Sequence, residues 1–217
     1  MSNLKKLAWN EIDWTLVQQR NFRIQRRLYR AKQKDKMDLV HYLQNKLITS
    51  LDAKLLSVRQ VTTLNKGKDT VGYDKTIYKT PSEKLNLALN LSIDGKSDKI
   101  LRVFIPKPGT NESRPLGIPT LKDRAKQNLI KLALEPEWEA VFESGSYGFR
   151  PGRSCQDAIE NILTSCRSKP KFVLDADISK CFDQIDHTAL LNKLNSPPKI
   201  FNQIKAWLKT DIMTNFS

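Results

Sequence analysis

Paired cysteines are absent from this chain of 217 residues. Its three cysteines, Cys155, Cys166 and Cys181, form no C-x-x-C pair, and there are only two histidines, His41 and His187. A structural zinc centre needs four clustered thiolate or imidazole ligands, so that class is not expected. An odd, widely spaced set of thiols fits a reducing compartment rather than a disulfide scaffold. No apolar run reaches the roughly 20 residues that span a bilayer, so no membrane partner is expected. The N-terminus lacks a signal-peptide core, and Glu11 and Asp13 argue against a transit peptide. These absences point to an intracellular protein. No internal repeat is visible.

Negative charge is also scarce. Lys and Arg number 37 against 23 Asp and Glu, a formal net charge of +14. Each cation set against a phosphate releases a counterion, so an excess of this size calls for a polyanionic partner such as nucleic acid. The cations are not scattered. In the first helical stretch, which Asp13 caps, Arg23, Arg26, Arg27 and Arg30 recur at three- and four-residue intervals and share one helical face. Like charges stacked in this way repel, and a phosphate backbone relieves the repulsion; a solvated outer face is the competing reading.

Apolar spacing predicts further helices over 37–50, 51–61 and 81–93, separated by a Gly/Lys/Asp-rich loop over 62–79. Alternation over 101–105 and the prolines of 114–119 predict a hairpin around the turn P-G-T-N-E. A long helix is expected over 121–142, with Pro136 as a bend or break. Another runs from a Ser154 cap to about Cys166, with Ala158, Ile159, Ile162 and Leu163 facing inward. A strand over 172–177 follows, in which Asp175 and Asp177 point the same way. Asp186 then caps a helix over 187–194, and a last helix follows Pro197 and Pro198. The order specifies an α+β class.

Three segments carry chemistry. They are I-P-K-P-G-T-N-E-S-R-P-L-G-I-P-T (residues 105–120), S-Y-G-F-R-P-G-R-S (146–154) and K-F-V-L-D-A-D-I-S-K-C-F (171–182). A carboxylate at the end of a strand is an oxygen ligand of the kind Mg²⁺ prefers, and nucleotidyl transfer needs such ligands between attacking and leaving oxygens. In this order and spacing the segments resemble the fingers and first palm motif of group II intron-encoded reverse transcriptases (maturases), over about residues 50–194. The helices before them resemble the N-terminal extension of non-LTR-type reverse transcriptases. The loop V-G-Y-D-K departs from the family's usual G-V-D-G form.

The resemblance implies a right-hand polymerase, with a helical RNA-binding extension over 1–61, fingers over 62–170 and the start of a palm over 171–217. It makes Asp177 the first catalytic aspartate and a ligand of the Mg²⁺ ions, assisted by the backbone carbonyl of Ile178. It places Phe182 beneath the sugar of the incoming deoxynucleoside triphosphate, where bulk disfavours a 2′-hydroxyl. Lys107 and Arg114 would clamp the triphosphate, consistent with the movable point charge of lysine and the bidentate fork of arginine. Arg150 and Arg153 would contact the template–primer duplex, which suits arginines set beside Tyr147 and Phe149. Asp175, Asp186, His41 and His187 are read as structural.

The family's second catalytic aspartates, its Y-A-D-D-type hairpin and its thumb have no counterpart here, so the chain alone is expected to be inactive. It is a fragment, one half of a split protein completed by a second chain, or a decayed reading frame. Two functional readings follow. One is an RNA-directed DNA polymerase using an RNA template and DNA primer; the other is an RNA-binding maturase fragment that assists splicing of its intron RNA. The expected setting is a bacterial cytoplasm or an organelle (plastid or mitochondrion).

Overall fold

The computed structural model describes residues 8–168, 171–179 and 181–214. Eight α-helices and three strands are present among them. Helix α1 (Trp14–Gln33) starts where Asp13 accepts from the Leu16 amide at 3.0 Å, the cap that its position ahead of the apolar periodicity implies. Helices α2 (Met37–Thr49) and α3 (Leu51–Arg59) follow, and α3 runs into a π-helical turn, Gln60–Leu64. Helix α4 (Pro81–Asn90) carries a full capping box, Thr80 with Glu83, and Pro81 in its first turn.

Helix α5 (Leu121–Glu139) is the central beam, packed across α1, α2 and α3. Leu121, Ala125, Leu129 and Ala133 are fully buried on it at i, i+4, i+8 and i+12. They join Leu47, Val58, Ala88 and Leu91 in one core that also takes Ile200 from α8 (Pro198–Leu208). The helices of residues 14–59 therefore share a core with the segments assigned by resemblance to the fingers. Pro136 does not break α5. The carbonyl of Leu132, four residues earlier, has lost its helical donor, and Gln25 Nε2 supplies one at 2.9 Å.

Strands β1 (Ile100–Pro106) and β2 (Ser113–Ile118) form the expected antiparallel hairpin, with Ile105 opposite Arg114. Gly109 takes a φ of +74° in the turn, a value glycine adopts without penalty. A third strand, β3 (Ile212–Thr214), pairs parallel to β1 in the order β2-β1-β3. Nothing in the apolar pattern of D-I-M-T announces it; its partner lies more than a hundred residues away.

A buried polar cluster binds this sheet to α5 and α8. Lys126 is 2% exposed, and its Nζ donates to Asp94 Oδ1 at 2.7 Å and to the Lys96 carbonyl at 3.1 Å. Gln203, fully buried on α8, donates to the same carbonyl and accepts from the Gly95 amide. Thr210 Oγ1, beside β3, donates to Ser97 Oγ at 2.6 Å. Burial pushes the Asp123 carboxyl up, although Asp98 N and Ser97 Oγ donate to it. The loop before the hairpin is pinned as well. Arg124 donates to the carbonyls of Pro119, Gly67 and Thr70. Gly72 lies so close to α5 that a Cβ there would sit 2.7 Å from the Thr120 backbone. That contact explains why V-G-Y-D-K holds its glycine.

Two expectations fail at the other end. Helix α6 (Cys155–Cys166) forms with its Ser154–Asp157 capping box, yet no residue on it is buried; Ile162 is 61% exposed and Ile159 and Leu163 are exposed with it. The strand expected over 172–177 is not formed, and Phe172, Val173 and Leu174 are exposed. A β-strand needs a neighbour for its N–H and C=O groups, and no described strand pairs with this run. The apolar stripe of α6 is likewise covered by no strand among the described residues. Helix α7 (His187–Leu194) is capped as expected, Asp186 accepting from Thr188 N and Ala189 N, which holds that carboxyl below its usual range.

Candidate nucleotide and nucleic-acid site

Hairpin register decides where the first two charged candidates lie. Because Ile105 faces Arg114 and side chains alternate, Lys107 and Arg114 fall on the same face at the hairpin tip, diagonally across the ladder. The Lys107 amide donates to the Glu112 carbonyl at 2.9 Å, which continues the ladder one step past β1. Its Nζ pairs with Glu112 at 2.5 Å, an exposed contact that water screens. Arg114 is exposed and has no ion-pair partner among the described residues. This tip can meet a phosphate group with one guanidinium fork and one ammonium.

The glycine-rich segment after α5 is organised by Arg150. Only 8% exposed, it forms a bidentate pair with Glu139 at 2.6 and 3.1 Å, and donates to the Glu143 and Ser146 carbonyls. Its guanidinium lies 5.3 Å from the Phe142 ring centroid. The hydrogen bonds from Arg150 hold the Glu139 carboxyl below its usual range. The four donations of Arg150 are internal and fix the loop. Arg153 is more open, with one donor on the Ser144 carbonyl and its plane 5.2 Å from the Tyr147 ring. Phe149, with φ of +58°, is fully exposed; a positive φ at a bulky residue is uncommon outside constrained turns.

Asp177 is exposed, and its Oδ1 accepts from the Ile178 amide at 2.9 Å. Phe182 is 88% exposed. No hydrogen bond or ion pair among the described residues connects Asp177 with Lys107 or Arg114, and among those residues no group of three or more potential metal ligands occurs. What the segment offers a divalent cation is one free carboxylate oxygen, with Asp175 two residues away. That donor chemistry fits Mg²⁺, which takes one or two carboxylates and completes its shell with water and substrate phosphates.

Along α1, Arg23, Arg26, Arg27 and Arg30 are all exposed, and none has an acidic partner among the described residues. Arg20 is different, since it forms a bidentate pair with Asp52 at 2.8 Å. A basic side chain passed over in the sequence is Arg59, stacked 4.5 Å from the Trp14 ring centroid. Nothing in a single arginine at the end of a helix announces such a contact. The buried Lys126 was also illegible as such, because lysine at a helical position ordinarily reads as solvated.

The profile of the N-terminal domain of reverse transcriptase matches residues 9–91, and that of reverse transcriptase (RNA-dependent DNA polymerase) matches residues 105–217. The chain belongs to the reverse transcriptase family. This reverse transcriptase chain is 35% identical over 158 residues to the group II intron-encoded protein LtrA of Lactococcus lactis subsp. cremoris, covering 70% of the chain and 26% of LtrA. It is 37% identical over 151 residues to the protein YkfC of Escherichia coli (strain K12), covering 63% of the chain and 38% of YkfC. Maturase-like protein 1 of Euglena gracilis is 30% identical over 185 residues, covering 82% of the chain and 40% of that protein. The reverse transcriptase chain thus spans between about a quarter and two fifths of the length of these relatives. Among its described residues no helix is long and apolar enough to cross a membrane.

Proposed function

We propose that this chain supplies the fingers and the first palm motif of a group II intron RNA-directed DNA polymerase. The observation that carries this reading is the placement of Lys107 and Arg114 on one face of the hairpin tip. There a lysine ammonium and an arginine fork meet the triphosphate of an incoming deoxynucleotide and offset charge on the transferring phosphoryl group. Asp177 and the Ile178 carbonyl would hold Mg²⁺, which would supply positive charge to stabilise the attacking and leaving oxygens. Phe182 lies beneath the sugar and excludes a 2′-hydroxyl by bulk. Arg153 contacts the template–primer duplex, and Arg150 sets the loop that presents it. The right-hand arrangement divides the chain into an RNA-binding extension (1–61), fingers (62–170) and early palm (171–217), with a further segment or second chain completing the palm and thumb.

The free arginine face of α1 supports a second reading, in which the chain holds intron RNA and assists its splicing without polymerising. The two readings separate at the hairpin. With residues 9–214 grafted in place of the matching region of LtrA, Arg114→Ala should raise KM for deoxynucleoside triphosphates at least tenfold while RNA affinity stays within twofold. Equal KM values for the variant and the parent graft would remove the polymerase assignment of the hairpin and leave the RNA-binding one.

A further inference from the structure

One surface feature belongs to neither the hairpin nor the early palm. Three cavities of about 500, 390 and 420 Å³ lie along α1, where it meets α3 and α5. Gln18 and Leu56 line the first two together, and Phe22 and Gln25 line the second and third, so the three are sections of one groove. Its far section is walled by Phe22, Tyr29, Pro136 and Pro151, with Arg26 on the rim. Phe22 is 59% exposed, and one helical turn separates Arg26 from it. The nearer sections are edged by amides, Gln18 and Asn128 among them. Between them sits Asn21, 4% exposed, whose Oδ1 has no hydrogen-bond partner.

Charge selects the occupant. Two carboxylates line the groove, and both are already compensated: Glu135 by Lys131 at 3.2 Å and Glu139 by Arg150. The potential at the rim is therefore set by Arg26 and its helical neighbours Arg23 and Arg30, which have no acidic partner among the described residues. A slot of aromatic and proline faces beside free guanidinium groups matches a planar ring attached to a phosphate chain. Unstacked bases of single-stranded RNA are bound in this manner, with stacking on aromatic side chains and phosphates on arginines. Amides along the remaining groove suit hydrogen bonds to base edges.

We propose that the Phe22–Tyr29 slot takes one unpaired base of a single-stranded RNA, whose backbone crosses Arg23, Arg26 and Arg30 and whose adjoining bases follow the amide-lined groove along α1. This rests on the reading of the chain as an RNA binder and adds to it a defined stacking site. The site recognises an unpaired nucleotide, so a continuous duplex is a poor ligand for it.

The test uses the 217-residue chain and a single-stranded RNA 12-mer carrying one 2-aminopurine. Binding of the unaltered chain is expected to change the 2-aminopurine fluorescence by stacking. Phe22→Ala is expected to abolish that change and to weaken binding about tenfold at fixed salt. The slope of log K against log salt should stay the same, because no phosphate contact is lost. Arg26→Ala is expected to do the converse, lowering the slope by about one. The same RNA annealed into a duplex should compete at least tenfold less well. Phe22 is exposed, so its removal leaves the core intact, and an unaltered circular dichroism spectrum checks this. RNA bound equally well by Phe22→Ala, with the fluorescence change preserved, would overturn the slot while sparing the RNA-binding reading. Failure of the unaltered chain to bind any RNA would overturn both. Displacement of the RNA by polyglutamate at equal charge concentration would assign the groove to an acidic peptide and overturn the base assignment.

Discussion

The Gln25 side-chain amide donates to the Leu132 carbonyl at 2.9 Å, in the place of the backbone N–H that Pro136 lacks. A helix of 19 residues thereby passes through a buried proline without an orphaned acceptor, and α1 is locked to α5 at that point. Gln25→Ala should cost about 1–2 kcal/mol, the usual penalty for stranding a half-buried carbonyl. A Pro136→Ala background restores the missing N–H, and in it the same Gln25→Ala change should cost less than half as much. Urea unfolding of the four proteins gives the coupling directly. Equal costs in both backgrounds would mean that Gln25 stabilises the helix pair by packing and not by completing α5.

The Glu139–Arg150 pair gives the loop 143–154 a pH dependence of known sign. Arg150 holds the Glu139 carboxyl below its usual range, so the folded chain gives up that proton more readily than the unfolded chain does. Its contribution is fully present above the unfolded value of about 4.3 and is lost as pH falls through the lower folded value. Amide exchange in the loop should therefore accelerate below about pH 4, beyond the intrinsic trend, and Glu139→Gln should remove the step. A loop whose relative protection is flat from pH 3 to 6 would contradict the pairing.

Lys126 is the largest fully buried side chain among the described residues and joins Asp94, the Lys96 carbonyl and Asp123. Burial acts to raise the Asp94 carboxyl, but the hydrogen bonds from Lys126 and the Lys96 amide outweigh it and hold it low. Lys126→Met keeps the volume and removes the cation that compensates the Asp94 and Asp123 carboxylates, which should cost about 3 kcal/mol. Because Gln203 and Thr210 join the same cluster, the variant should also lose protection in β3 before the rest of the sheet. Uniform loss across β1, β2 and β3 would show that the cluster stabilises the fold as a whole and does not anchor β3 specifically.

Much of the fold was legible because its signals are local. The Asp13, Ser154 and Asp186 caps, the hairpin turn at Gly109 and the helical periodicity of Leu121 to Ala133 depend on residues within a few positions of each other. The errors lie where structure depends on distant partners. Strand β3 exists because β1 has a free edge. The run over 172–177 has every local mark of a strand and forms none, since no described neighbour pairs with it. The same holds for the site. The sequence identified the candidate residues Lys107, Arg114, Arg153 and Asp177, whereas the internal role of Arg150 and the groove beside Phe22 appear only once Glu139, Pro136 and Pro151 are brought together.

The polymerase reading depends most on the carboxylate of Asp177. The direct measurement is single-turnover deoxynucleotide addition to a DNA primer on an RNA template by the graft onto LtrA, comparing Asp177 with Asp177→Ala at equal RNA occupancy. Addition should fall at least a thousandfold, about 4 kcal/mol in the barrier, while RNA affinity stays within twofold. Addition within tenfold of the parent graft would show that this carboxylate does not serve the chemistry and that the chain acts through RNA binding alone.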